Sequence, residues 1–313
     1  MPPWAVAAAV LGGIAAAVIA AAAAAYVFAR RVFRHTFFRH PHRVPAHPNE
    51  AQRQEAALTA AAAEWVTGQP HEEVTLTGEG GTALFGIYLD IGADKTAVLV
   101  HGYTTDWKSR AHNARLYRAL GFNVLLPDNA GHGRSGGELI TMGYLDAPNL
   151  LYWADWLTRT KNARRIVLDG VSMGAAAVLA TSNYERRPAV CGLVADCGFT
   201  SAYDEIRSQF RRRRVPAFPA LAFLCRMARR RGFDLKARSP IEGVRRSEVP
   251  TLFIHGDKDK FVPFSMMREL YDANASPKRL LVTENVGHAF SYILARERYE
   301  EAITRFVREV TEE

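Results

Sequence analysis

Arg165-Ile-Val-Leu-Asp-Gly-Val-Ser-Met-Gly-Ala-Ala-Ala-Val-Leu-Ala180 decides the fold. Ile166 to Leu168 is a short β-branched and aliphatic run, the signature of a buried strand. Ala175 to Ala180 is a run of small residues, suited to a helix lying close on a sheet. Between them stands Gly170-Val171-Ser172-Met173-Gly174, a G-x-S-x-G. A sharp turn from strand to helix here lifts the Ser172 hydroxyl out of the sheet in a strained conformation. A Cβ at Gly170 or Gly174 would collide with neighbouring backbone. The free N–H groups at the start of the following helix make the same spot hospitable to negative charge. A tight turn carrying a surface serine is the alternative, because so short a pattern recurs by chance.

Working outward, strand and helix signals alternate. Val74–Gly78 and Ala83–Leu89 read as an antiparallel pair with Glu79-Gly80-Gly81-Thr82 as its turn. Strands are expected at Thr96–Val100, Asn123–Leu126, Gly192–Ala195, Thr251–Ile254 and Leu280–Val282. Helices are expected at about Lys108–Leu120 and Asn149–Thr160 and after each of the last two strands. Such alternation predicts a mostly parallel sheet covered on both faces, with chemistry at the carboxyl ends of its strands. Each of five strand ends carries a polar, Gly-containing loop. These are His101-Gly102-Tyr103, Asp128 to Gly137, the serine turn, His255 to Pro263, and Asn285 to Ala289.

The pattern resembles the α/β-hydrolase superfamily, within the dienelactone-hydrolase-like and serine-aminopeptidase-like serine hydrolases. The likeness covers about residues 70 to 310. It rests on His101-Gly102, the Asp128…Gly131-His132-Gly133…Ser135-Gly136 loop, the serine turn, His255-Gly256-x-x-Asp259-x-x-Val262-Pro263, and Gly287-His288. A serine hydroxyl needs an imidazole to take its proton, and the imidazole needs a carboxylate to hold its tautomer. His288, after the last expected strand, is the candidate base. Asp259 is the candidate acid, with Asp257 and Asp196 as alternatives. The resemblance implies an oxyanion hole from the backbone N–H groups of Tyr103 and Met173, an eight-stranded sheet, and a helical lid at about residues 200–248. The Tyr103 side chain is a candidate for lining an acyl pocket or for simple packing. His101 is expected to support the oxyanion loop, and His132 to belong to a structural loop. The lid's apolar residues, Phe210, Phe218, Leu221, Phe223, Leu224 and Met227, would hold an acyl chain or pack on the protein.

Composition narrows the partners. The 313 residues are 48% hydrophobic and 23% charged, which is globular. The three cysteines, Cys191, Cys197 and Cys225, make no disulfide framework. No C-x-x-C, H-E-x-x-H, calcium loop, GxGxxG or Walker A pattern occurs, so neither a metal nor a cofactor is implied. The net charge of +8 is uneven. Residues 207–246 hold 13 Lys and Arg against 2 Asp and Glu. That segment lacks an interleaved aromatic platform and any reader motif, so nucleic acid is not the expected partner. Its arginines would face either solvent or anionic headgroups.

Trp4 to Ala29 is an uncharged, mostly aliphatic run of 26 residues, long enough for a transmembrane helix. Arg30, Arg31, Arg34, Arg39 and Arg43 follow, which by the positive-inside rule predicts a cytoplasmic flank. Phe33, Phe37 and Phe38 beside them would lie on headgroups. A cleaved signal peptide, with a secreted or extracytoplasmic domain, is the alternative. The expected organisation is an anchor at 4–29, a basic linker and helix at 30–69 with prolines from Pro41 to Pro48, and the hydrolase domain at 70–313. The expected activity is cleavage of an ester, thioester or amide of a small or lipid-like acyl substrate. A serine aminopeptidase or an acyltransferase is the alternative, and a non-enzymatic lipid-binding or scaffold module is disfavoured.

Overall fold

The computed structural model describes residues 1–41 and 46–312. Arg43 and Pro45 of the expected basic flank and linker lie outside the described residues. Eight strands form one sheet: β1 Glu72–Thr77, β2 Ala83–Leu89, β3 Lys95–Val100, β4 Asn123–Pro127, β5 Arg165–Val171, β6 Val190–Asp196, β7 Thr251–Gly256 and β8 Lys278–Thr283. Their order is β1-β2-β4-β3-β5-β6-β7-β8. β1 pairs antiparallel with β2 and β2 with β4, and the remaining pairs are parallel. This is the mostly parallel eight-stranded sheet that the alternation predicts. The serine turn leaves β5, near its middle.

Eleven helices surround the sheet among the described residues: α1 Pro3–Phe37, α2 Glu50–Thr67, α3 Ala111–Ala119, α4 Asp146–Thr160, α5 Met173–Ala180, α6 Ala202–Arg212, α7 Ala220–Arg230, α8 Pro240–Val244, α9 Phe264–Ala273, α10 Ser291–Leu294 and α11 Arg296–Glu312. Alternate residues of each central strand serve opposite layers. Leu99, Val167 and Ile254 pack with Tyr117 of α3 and with Ile303 and Phe306 of α11. Val98, Leu168 and Leu193 pack with Trp153 of α4 and Val178 of α5 on the other face. Strands buried on both faces explain why they read as unbroken apolar runs rather than as alternation.

One charge pair crosses this core. Arg110 bonds Asp169 at 2.7 Å, both side chains are buried, and the Tyr117 hydroxyl donates to the other carboxylate oxygen at 3.0 Å. Asp169 immediately precedes Gly170, so the pair clamps the strand from which the serine turn departs. Removing one partner strands a buried charge. Arg110→Ala is therefore expected to cost about 3–5 kcal/mol in a urea melt. A loss within error would show that the pair is dispensable.

α1 extends past the apolar run. The helix does not stop near Ala29 but continues to Phe37, because no breaker intervenes before Pro41. Ala29, Phe33 and Phe37 recur every four residues, share one face, and are buried against the insertion between β6 and β7. Phe33 and Phe37 thus face protein rather than a headgroup layer. They meet Phe210, Leu221, Leu224 and Phe233. The insertion's apolar face is occupied by α1, so it forms no open acyl groove. Only Phe218 among its expected apolar residues stands clear, 82% exposed.

α1 then runs into the body of the domain. Phe38 forms a β-bridge with Leu139, and the Ile140 N–H donates to the Phe37 carbonyl at 2.8 Å. Arg39 donates to the carbonyls of Ser135, at 2.8 Å, and of Gly133. Its guanidinium is committed to the loop after β4 and not to lipid.

Candidate active site

Ser172 stands between β5 and α5 with φ 55° and ψ −114°, a backbone conformation that side chains other than glycine seldom adopt. Its N–H donates to the Asp196 carbonyl at 2.8 Å. A Cβ on Gly170 would come within 2.4 Å of Gly174, and one on Gly174 within 2.5 Å of the Val100 carbonyl oxygen. Both glycines are required by close backbone approach, which also holds the strained serine in place.

Two loops bring the other groups in. At the end of β7, Gly256 lets the chain pass so close to Val286 that a Cβ would lie 2.3 Å from its carbonyl oxygen. Lys258 N–H donates to that carbonyl at 3.0 Å, tying the β7 and β8 loops together. Asp257, the alternative acid, accepts the Asn285 N–H at 2.6 Å and completes this tie. Asp196, the other alternative, is buried with one oxygen unpartnered among the described residues. The carboxylate that reaches the imidazole is Asp259. His288 Nδ1 lies 2.7 Å from Asp259 Oδ2, and His288 Nε2 lies 2.9 Å from Ser172 Oγ.

The Asp259 environment fixes its charge. Oδ1 accepts the N–H groups of Phe261 and Val262 at 2.8 and 2.9 Å, and His255 Nε2 stands 3.3 Å from Oδ2. Burial opposes ionisation, but hydrogen bonds from His255 and His288 more than offset it and hold the carboxyl down at about 2. An ionised carboxylate only accepts, so His288 carries its proton on Nδ1 and offers the Nε2 lone pair to the serine hydroxyl.

Met173 opens α5, and its N–H belongs to the first turn that a helix leaves without intrahelical partners. The His101–Tyr103 loop passes beside the serine: a Cβ on Gly102 would sit 3.6 Å from Ser172 Cβ. The Tyr103 hydroxyl does not turn to an acyl pocket. It donates to the Thr36 carbonyl at the end of α1 at 2.8 Å and lies 3.2 Å from His40 Nε2. His101 is buried. Its Nε2 accepts the Asn129 N–H at 2.9 Å, and burial lowers its pKa to about 4, so it braces the loop as a neutral ring. His132 Nε2 likewise accepts the Thr104 N–H at 3.1 Å, which makes its loop structural as expected.

A cleft of about 1460 Å³ opens over His288 and Phe261. Its walls are Arg39 to Pro41, the loops after β3 and β4, and the face of α2 bearing Ala56, Ala60 and Ala63. Sequence reasoning missed this wall. The Asn49–Gln52 capping box announces α2, but nothing local announces what α2 covers.

Cys197 Sγ lies within 4.8 Å of ligand atoms on Asp259 and His288, a grouping of metal-binding types. The set does not fit an ion. Both His288 nitrogens and both Asp259 oxygens hold protein partners. Burial pushes the Cys197 thiol well above its ordinary value, away from the thiolate that metals take.

Sequence reasoning also missed Glu205 on α6. It is buried, accepts from Gln209 Nε2 at 2.6 Å, and leaves Oε2 unpartnered among the described residues. Gln209 Nε2 also donates to the Phe261 carbonyl at 2.9 Å, joining α6 to the acid loop. Burial raises the Glu205 pKa from 4.5 to about 7 despite the Gln209 bond. A carboxyl whose folded value is raised penalises the ionised folded state, so stability falls as pH climbs from about 4.5 to about 7. Glu205→Gln is expected to raise Tm above that window and leave it little changed below. An equal change on both sides would contradict the assignment.

A profile of the alpha/beta hydrolase family matches residues 97–302. The uncharacterised protein YqkD of Bacillus subtilis is 30% identical over 68% of this chain and 70% of its own length. A lysophosphatidylserine lipase of Danio rerio is 27% identical over 58% of this chain and 47% of its own. Among solved structures, an esterase of Pyrococcus furiosus superimposes with a TM-score of 0.66 at 22% identity, covering 87% of this chain and 98% of that one. The profile spans well over half of the chain and takes in the serine turn and both later loops, so the chain belongs to the alpha/beta hydrolase family.

Proposed function

We propose that the chain is a membrane-anchored serine hydrolase that cleaves an acyl ester through a Ser172–His288–Asp259 triad. The observation that carries the reading is the unbroken chain of contacts, 2.9 Å from Ser172 Oγ to His288 Nε2 and 2.7 Å from Nδ1 to Asp259. Ser172 Oγ attacks the acyl carbonyl as its proton passes to Nε2. The tetrahedral oxyanion is received by the N–H groups of Met173 and Tyr103, each worth about 3 kcal/mol. Collapse expels the alcohol, which takes the proton back from Nε2, and leaves an acyl-serine. Water then attacks the acyl-serine, again giving its proton to Nε2, and the released serine recovers it.

An ester is favoured over an amide because an alkoxide leaves more readily than an amine. The cleft and its alanine wall suit an extended acyl group. The lysophosphatidylserine lipase among the relatives is in keeping with an amphiphilic ester. α1 is long and apolar enough to cross a membrane, with a mean hydropathy of 2.4 over its most apolar stretch, none of it buried. With Arg30, Arg31 and Arg34 on its C-terminal side, the domain at 70–313 lies in the cytoplasm. The span is 4–29, the connecting segment 30–69, and the lid about 200–248.

A panel of esters, thioesters and amides of graded acyl length tests the chemistry, with Ser172→Ala as the blank. Ester turnover is expected to dominate. Turnover of aminoacyl amides alone would replace the esterase reading with a peptidase one. Protease added to intact cells should spare the domain, and its digestion would place the domain outside.

A further inference from the structure

The insertion is fixed to α1 at a definite height. Tyr26 of α1 meets Phe223 of α7 edge-on at 5.5 Å, and Phe37 meets Phe233, beyond the end of α7, at 5.3 Å. α7 therefore runs alongside α1 in the same direction, away from the apolar span. α6 arrives from the other direction, and Phe210 near its end lies 6.0 Å from Phe28. The link between the two helices, residues 213–219, consequently projects past Tyr26 toward the middle of the span. The helical stretch from Ala220 to Phe223 alone places it roughly 5 Å further along α1. Tyr26 is itself inside the apolar run that ends at Ala29. The tip therefore reaches the height of the last turns of the apolar run.

The chemistry of the tip matches that level. Phe218 is 82% exposed and Pro216 is exposed beside it. Arg211, Arg212, Arg213 and Arg214 stand exposed at the end of α6. From Ile206 to Arg231 the sequence contains nine arginines and no acidic residue. An exposed aromatic close in sequence to several arginines suits the boundary between acyl chains and phosphates.

We propose that residues 211–219 form a membrane-docking tip, in which Phe218 and Pro216 enter the interfacial layer of the bilayer crossed by α1 while Arg211, Arg213 and Arg214 hold the phosphates of anionic headgroups. The proposal rests on the reading of α1 as a retained span. Arg212 is set apart because its guanidinium lies 5.7 Å over the Phe261 ring, and that ring is 4.9 Å from His288. The docked tip thus adjoins the candidate site through Arg212 and Phe261. The insertion is held from two sides, by α1 and by the surface, rather than swinging freely over the cleft.

Nitroxide labels on Phe218→Cys and, separately, Val18→Cys test this in the full chain, in nanodiscs of phosphatidylcholine with and without phosphatidylglycerol. Wild type carried through the same labelling gives the blank for the half-buried Cys191. The label at 218 is expected to collide several-fold more with oxygen than with an aqueous nickel chelate. Replacing Arg211, Arg213 and Arg214 by Gln, or omitting phosphatidylglycerol, is expected to shift it toward water. A label at 18 in lipid with one at 218 fully aqueous in both discs overturns docking and leaves the anchor standing. A label at 18 in water removes the anchor and the docking tip together. Lipid exposure at 218 indifferent to both the arginines and the headgroup overturns the role given to the arginines.

Discussion

Ser172→Ala is expected to lower kcat by about 10⁶-fold, roughly 8 kcal/mol of transition-state stabilisation, while the protein remains folded. The size follows from the division of labour. Without Oγ there is no acyl-serine, and His288, which Asp259 orients, has no serine proton to take. On the proposed mechanism, binding and the two N–H donors would remain and retain about 10³–10⁴-fold over water. Folding should survive because the strain belongs to the backbone. Residue 172 holds φ 55° whichever of the two side chains it bears, and its N–H bond to the Asp196 carbonyl is untouched. The measurement is hydrolysis of the best ester in the panel, beside a thermal melt. Turnover within tenfold of wild type, with an unchanged melt, would remove Ser172 from the chemistry.

Asp259→Asn is expected to cost about 10⁴-fold in kcat with little change in KM. Asparagine is nearly isosteric, and its carbonyl can keep the Phe261 and Val262 N–H bonds that shape the loop. Its amide then faces His288 Nδ1 with donors instead of a lone pair. That favours the tautomer with the proton on Nε2, the atom that must accept from Ser172. The charge that would stabilise the imidazolium is also gone. Asp257→Asn provides the contrast. Asp257 holds the Asn285 N–H and does not touch His288, so a much smaller loss is expected. If the two variants lose activity equally, the identity of the acid is wrong.

These effects concern residues whose arrangement could be read along the chain. The serine turn is legible because its constraint is local: Gly170 and Gly174 answer contacts made within one turn and with the adjacent strand. Asp259 and His288 are legible because a parallel sheet delivers successive strand ends to one edge, so order along the chain becomes adjacency in space. What could not be read depends on partners distant in sequence. Ala29, Phe33 and Phe37 display a helical stripe, but a stripe does not say what covers it, and lipid and protein are equally apolar neighbours. The structure supplies α6 and α7, some 180 residues away. The Tyr103 hydroxyl is another such case, committed to the Thr36 carbonyl across 67 positions. Asp204 and Glu205 are adjacent acids of the same appearance in sequence. Only the packing of α6 shows that Asp204 stays near solvent beside Ser201 while Glu205 is buried beside Gln209.

The covalent step itself is open to direct observation. The full chain in detergent, treated with a fluorophosphonate and followed by intact mass and peptide mapping, should gain one adduct on Ser172. Ser172→Ala should gain none, and Asp259→Asn should gain it far more slowly. An adduct on another residue, or none on wild type that is folded by its melt, would contradict the account.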